Sequence, residues 1–130
     1  SPILFRTAEV YLIAAEAAAR QGNLAGGLNH LNALRKARGL ANVAPATADA
    51  LLAEVKLERT RELVGEGFHF YDLKRWNQNM DRKAQGVQDE NTVNTNFVNV
   101  QVNAGDHRFV WGIPANDINL NKALKQNEGW

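Results

Sequence analysis

The sequence contains no cysteine, so disulfides and thiolate metal centres are excluded and compartment cannot be read from redox chemistry. Its one serine is Ser1. Together these two absences remove Ser-His-Asp and Cys-His nucleophilic catalysis from consideration. No Gly-x-x-x-x-Gly-Lys loop is present to cradle a phosphate. Long apolar runs are missing too: the longest, Val10 to Ala19, contains Glu16 and is too short to span a bilayer. Neither sign of charge dominates, and a net charge of +1 gives no global pull towards nucleic acid or membrane. No signal peptide is visible, and the chain enters a helical pattern within a few residues. That abrupt start is expected of a piece cut from a longer protein.

What is present suits one mostly helical domain. A chain of 130 residues with 45% hydrophobic content can bury about two-thirds of its unfolded surface. Thr7 is the expected N-cap, and Glu9 the first-turn acid, of a helix running through Tyr11 and Ala14 to Arg20. Gln21-Gly22-Asn23 breaks it. A second helix starts near Leu24 and carries Leu28, Leu31 and Leu34. It reaches Arg35 to Arg38 before Gly39 stops it, an order that suits the helix dipole and an αL cap. The pair makes a helical hairpin the size of a tetratricopeptide unit, about 34 residues. Tyr11, Ala15, Gly22, Leu24, Gly27 and Leu31 fall in that repeat's frame, while Gly26-Gly27 is expected to soften the second helix. After a linker holding Pro45, Thr47 or Asp49 caps a third helix through Leu51, Val55 and Leu63. A fourth runs from about Phe68 to Asn79.

The C-terminal part reads differently. Residues 81–105 are rich in Asn, Gln, Asp and Gly. They are expected to form a long irregular excursion, touching an edge strand at Phe97 to Val102 and serving either as a ligand loop or as a solvated one. Alternation of Phe109, Trp111 and Ile113 predicts one short strand ended by Pro114. The polar tail, with Ile118, Leu120, Leu124 and Trp130 as anchors, is expected to wrap a surface. The organisation is therefore helical hairpins over 1–80 and loop, short strand and tail over 81–130.

Charge and aromatic groups are densest over Leu57 to Trp76. Glu54, Glu58, Glu62 and Glu66 stand four residues apart, a column that repels itself unless cations interleave it. Arg59, Arg61, Lys74 and Arg75 are the cations at hand. Gly65 and Gly67 weaken the helix, so the pattern reads as a helix, a glycine corner and a second helix. Glu58, Arg59, Glu62, Glu66, Asp72 and Arg75 are the expected structural ion-pair cluster at that corner. Chemistry is a weaker reading. Glu66-x-x-His69 has di-iron spacing, but no second Glu-x-x-His accompanies it, because neither His30 nor His107 has the glutamate. Carboxylates among arginines have depressed pKa values, whereas a glycosidase acid needs a raised one. No enzyme, metal or cofactor is therefore expected. Trp76 and Trp111 sit in amphipathic patterns that predict burial, and Trp130 fits either a buried or a stacking role.

Several motifs in register resemble those of the SusD/RagB family. They are Ala8-Glu9-Val-Tyr11-Leu-Ile-Ala-Ala-Glu16-Ala17, Leu31-Asn32-x-x-Arg35-x-x-Arg38-Gly39-Leu40, Glu58-Arg-Thr-Arg-Glu-Leu63 and Glu66-Gly67-Phe-His-Phe-Tyr-Asp72-Leu73-Lys-Arg75-Trp76. Gly112-Ile-Pro114 and Gln126-Asn127-x-Gly129-Trp130 follow in order. The departures are local: His69 where arginine is frequent, Asn121-Lys122 for Asn-Pro, and a closing Trp for Tyr. The resemblance implies tetratricopeptide-like helices in a surface-exposed outer-membrane lipoprotein of Bacteroidetes. Such a protein binds glycans or other nutrients and lies over a TonB-dependent transporter as its partner. This chain is then expected to be the C-terminal part, with the lipid anchor and much of the ligand surface elsewhere. No ligand-binding residue carries over. The alternative is a helical interaction scaffold with no ligand of its own. Two hairpins alone leave an apolar flank, to be covered by loop and tail or by self-association of the fragment.

Overall fold

The computed structural model describes residues 6–81 and 101–130. Most of the polar excursion, including the Phe97 end of the expected edge strand, lies outside the described residues. The chain divides into two compact units, Ser1–His69 and Phe70–Trp130.

The first unit is built from α1 (Thr7–Arg20), α2 (Leu24–Ala37) and α3 (Ala48–Glu62). Arg6, with an extended backbone, occupies the N-cap of α1, and Thr7 is the first helical residue instead of the cap. The Arg6 carbonyl accepts from Glu9 and Val10, which leaves its side chain free to reach elsewhere. Asn23 caps α2 by accepting from the Gly26 amide at 2.9 Å, and Thr47 caps α3 through Ala50 at 3.2 Å. Gly39, at φ 71°, ends α2. The Leu40 amide donates to Arg35 at 2.9 Å and the Gly39 amide to Lys36 at 3.0 Å, which is the Schellman pattern.

Leu12, Ala15, Leu31, Leu51 and Val55 are at most 1% exposed and centre the core. Burying a leucine or valine this fully contributes roughly 1.5–3 kcal/mol. Gly27, at a small-residue position of the repeat frame, has a packing role. A Cβ there would stand 2.5 Å from Leu51 and 3.2 Å from the Ala15 carbonyl, so only glycine lets α2 come so close to α1 and α3. Contacts between helix ends fix direction. The α2 and α3 C-termini meet through Arg38 and Glu62, while the α1 N-terminus meets the α3 C-terminus through Arg6 and Glu9. Thus α3 runs parallel to α2 and antiparallel to α1.

The second unit holds α4 (His69–Trp76), which begins at the boundary, β1 (Met80–Asp81), β2 (Gln101–Val102), a 3-10 turn at His107–Phe109 and α5 (Ala115–Leu120). β1 and β2 pair antiparallel, Met80 opposite Val102. Leu73, Val102 and Phe109 form the core with Phe70 and Met80 against them. The Phe70 and Phe109 rings stack at 5.5 Å. Asn77, at φ 52°, closes α4, with the Gln78 amide donating to Leu73 at 2.9 Å.

Three expectations fail in this unit. Phe109–Ile113 is not a strand: Phe109 ends a 3-10 turn, Val110 is extended, and 111–113 have no strand partner among the described residues. With no sheet to define an inner face, alternation loses its meaning, and Trp111 is 77% exposed where burial was expected. Tyr71 and Leu120 are exposed as well, so Leu120 does not anchor the tail. Among the described residues no helix is long and apolar enough to cross a membrane.

Candidate functional site

The acidic column of α3 finds its cations on other helices. Glu58 is buried and paired with Arg35 of α2, while Arg61, on its own helix, lies 4.0 Å away. One turn on, Glu62 accepts from Arg38 at 2.6 and 3.0 Å and from Arg6 at 2.8 Å. Arg6 also donates to the Glu62 carbonyl at 2.7 Å and grips Glu66 at 2.7 and 3.1 Å. Arg59 is buried, donates to Glu9 of α1 at 3.2 Å and lies 5.5 Å from the Phe68 ring centroid. The hydrogen bonds from Arg38, followed by those from Arg6, hold the Glu62 carboxyl below its usual range against the opposing pull of burial. Arg6 is raised by its bonds to Glu66 and Glu62.

Of the six expected cluster residues, Glu58, Arg59, Glu62 and Glu66 gather at this junction of three helix ends. Asp72 and Arg75 form an ion pair with each other on α4, at 2.8 Å. The partners that sequence reasoning missed are Arg6, Glu9, Arg35 and Arg38. For Arg35 and Arg38 the signal was present but was assigned to the helix dipole alone. Arg35 also reaches the linker, donating to Ala41 at 2.9 Å. Asn32 beside it bonds both the amide and the carbonyl of Val43 at 2.9 Å. His69 lies exposed at the start of α4. Among the described residues no group of three His, Cys, Asp or Glu side chains could hold a metal.

The second unit has its own constellation. The backbone from Val110 to Ile113, which has no strand partner among the described residues, bonds to side chains of the tail. Gln126 accepts from the Ile113 amide at 2.8 Å and donates to its carbonyl at 2.9 Å. Asn127 donates to Trp111 at 2.6 Å and the Trp130 indole to Val110 at 2.8 Å. Gly129, at φ 89°, is needed where a Cβ would stand 2.5 Å from the His107 ring. Beside these residues is an open hollow of about 520 Å³ lined by Gly105, His107, Val110, Asn127, Glu128 and Gly129. Its volume is within the range of small-molecule pockets. Asp106 next to it is held far below the usual carboxylate range by the Arg108 side chain and amide.

The sequence model of the SusD family matches residues 1–130. No curated protein matches the chain. A putative sugar binding protein from Bacteroides vulgatus ATCC 8482 superposes with TM-score 0.76 at 31% identity, over 98% of this chain and 28% of its own. A SusD-like carbohydrate binding protein from the same organism gives 0.73 at 28% identity, over 94% of this chain and 29% of its own. A SusD-like protein from Bacteroides fragilis NCTC 9343 shares the fold, with TM-score 0.72 at 24% identity over 98% of this chain and 26% of its own. The chain therefore spans little more than a quarter of the length of these structures.

Proposed function

The chain belongs to the SusD family, and from that premise we propose that it is the helical scaffold of a non-enzymatic component in an outer-membrane glycan or nutrient uptake complex. The observation that carries the reading is the superposition on the putative sugar binding protein from Bacteroides vulgatus, at TM-score 0.76. The junction of helix ends supports a holding role. Its carboxylates accept from arginines on neighbouring elements, and Glu62 is shifted away from the range a general acid needs. In this reading the surface-exposed location, the lipid anchor and the TonB-dependent transporter partner belong to the longer protein.

A glycan array run with that longer protein and with the 130-residue chain tests the reading. Binding by the longer protein and none by the chain is the expected outcome. Release of reducing sugar by either would refute a non-enzymatic role. The alternative, a scaffold with no ligand of its own, draws on the exposed apolar residues Val10 and Ile13 of α1. It predicts an array silent for both proteins, with the transporter still co-purifying.

A further inference from the structure

The 3-10 turn and the tail of the second unit flank the hollow of about 520 Å³ beside His107, and its walls are set before anything enters. Gly129 lies so close to the His107 ring that a Cβ would stand 2.5 Å from it. The Trp130 ring meets the same imidazole at 5.5 Å and an interplanar angle of 83°, while its indole N–H holds the Val110 carbonyl. A Cβ on Gly105, at φ 79°, would meet nothing within 4 Å, so that wall is bare backbone. The polar groups of the lining are acceptors. Asn127 spends an amide N–H on the Trp111 carbonyl, and its Oδ1 is left to accept. His107 turns Nδ1 to the Asp106 carboxylate at 3.5 Å; with the proton on that side, Nε2 accepts. Asp106 itself is matched by Arg108 at 2.8 and 2.9 Å. Glu128 is exposed, and among the described residues no ion pair engages its carboxylate.

We propose that this hollow binds a small ligand through a primary ammonium group. Glu128 supplies the opposite charge, and Asn127 Oδ1 and His107 Nε2 accept from the remaining N–H groups or from hydroxyls beside them. Val110, 44% exposed, meets the carbon skeleton. A smaller hollow of about 130 Å³ shares Gly105 and Val110 and carries Lys74, which steers a cation to the Glu128 end. Carboxylate and phosphate ligands are disfavoured there, since Glu128 repels them. Walls held in advance keep the ordering cost of binding small. An amino sugar and an aliphatic amine both present the required group. The inference is independent of the glycan-uptake reading: neutral glycans on an array carry no ammonium, so silence there leaves this hollow untouched.

Trp130 packs on His107 at the edge of the hollow, so fluorotryptophan at that position reports on it. In the longer polypeptide its fluorine resonance is assigned by Trp130→Phe and followed during titration with glucosamine, cadaverine or glucose. One or both amines should move the resonance saturably in the millimolar range, with glucose roughly tenfold weaker. Glu128→Gln, at an exposed position, should bring the amines down to the level of glucose. A stronger response to glucosamine than to cadaverine identifies an amino sugar as the ligand, and parity or the reverse identifies an aliphatic amine. No movement with either amine overturns the proposal. So does glucose matching the amines, or an amine preference that survives Glu128→Gln.

Discussion

Glu58→Ala separates a buried ion pair from a surface one. The Glu58 side chain is 4% exposed and that of Arg35 is 12%. Pairs in open solvent are worth about 0.2–1 kcal/mol, whereas removing one member of a buried pair costs about 3–5 kcal/mol because the other charge is stranded. Two features place this site at the lower end. Arg35 keeps its bond to the Ala41 carbonyl, and Arg61, 57% exposed, turns to water at little cost. The expected loss is about 3 kcal/mol, or roughly 12 °C at about 4 °C per kcal/mol for a domain of this size. Urea unfolding followed by far-UV circular dichroism at pH 7 measures it, with the slope checked for constancy. Glu58→Leu combined with Arg35→Met should return to within about 1 kcal/mol of the parent, since two apolar groups strand no charge. A single-variant loss under about 1 kcal/mol, or a strictly additive double-mutant cycle, would refute the reasoning. Unchanged stability with lost ligand binding in the longer protein would instead assign the pair to function.

The Glu62 carboxyl lies below its ordinary value of 4.5 in the folded chain. Its stabilisation is therefore complete above about pH 4.5 and lost as pH falls through the lowered value; Glu62→Gln should flatten the acid limb of a stability–pH profile. Gln126→Ala removes both side-chain bonds to Ile113 and should cost the second unit about 1–2 kcal/mol, seen as faster amide exchange at Ile113. Gly129→Ala forces a side chain into the left-handed region and onto the His107 ring, a cost of about 1–2 kcal/mol. It should release Trp130, raising iodide quenching in a Trp111→Phe background.

How much could be read in advance depends on whether local physics decided the outcome. The ends of α1 and α2 were legible because Gly22 and Gly39 stop a helix through their own backbone. The Thr47 cap needs only a residue three positions away. The strand at Phe109–Ile113 was misread because alternation is meaningful only when a partner strand defines two faces. Here the partners are the Gln126, Asn127 and Trp130 side chains, which no periodicity encodes. The ion-pair junction was half legible. Four carboxylates at helical spacing announced that cations were needed, but local spacing could nominate only neighbours in the chain. Arg6 and Arg38 are 56 and 24 residues from Glu62, and folding alone brings them there. Gly27 was half legible as well: its place in the repeat frame asked for a small residue, but the reason, Leu51 across the unit, is not local.

The placement of the acids raises a question that pairing alone does not answer. The C-termini of α2 and α3 lie side by side, each equivalent to roughly half a negative charge. Glu58 and Glu62 add carboxylates at that end, where an acid is disfavoured by about 0.3–1 kcal/mol. Arg35 and Arg38 on α2, and Arg6 at the positive end of α1, offset this. Aliphatic residues would have avoided the conflict. The difference is register. A slide of α3 by half a turn, about 2.7 Å, moves both glutamates off their arginines at once, whereas a leucine seam accepts the slide with little loss. The arrangement gives up some stability for a single alignment of three helices, a use of buried charge that has precedent and needs its own test in each protein. Converting Glu58 and Glu62 to Leu and Arg35 and Arg38 to Met should therefore preserve the melting temperature. It should also broaden or double the amide resonances of α3. A single sharp set of α3 resonances from that variant would show that packing of the Leu51 and Val55 face fixes the register unaided.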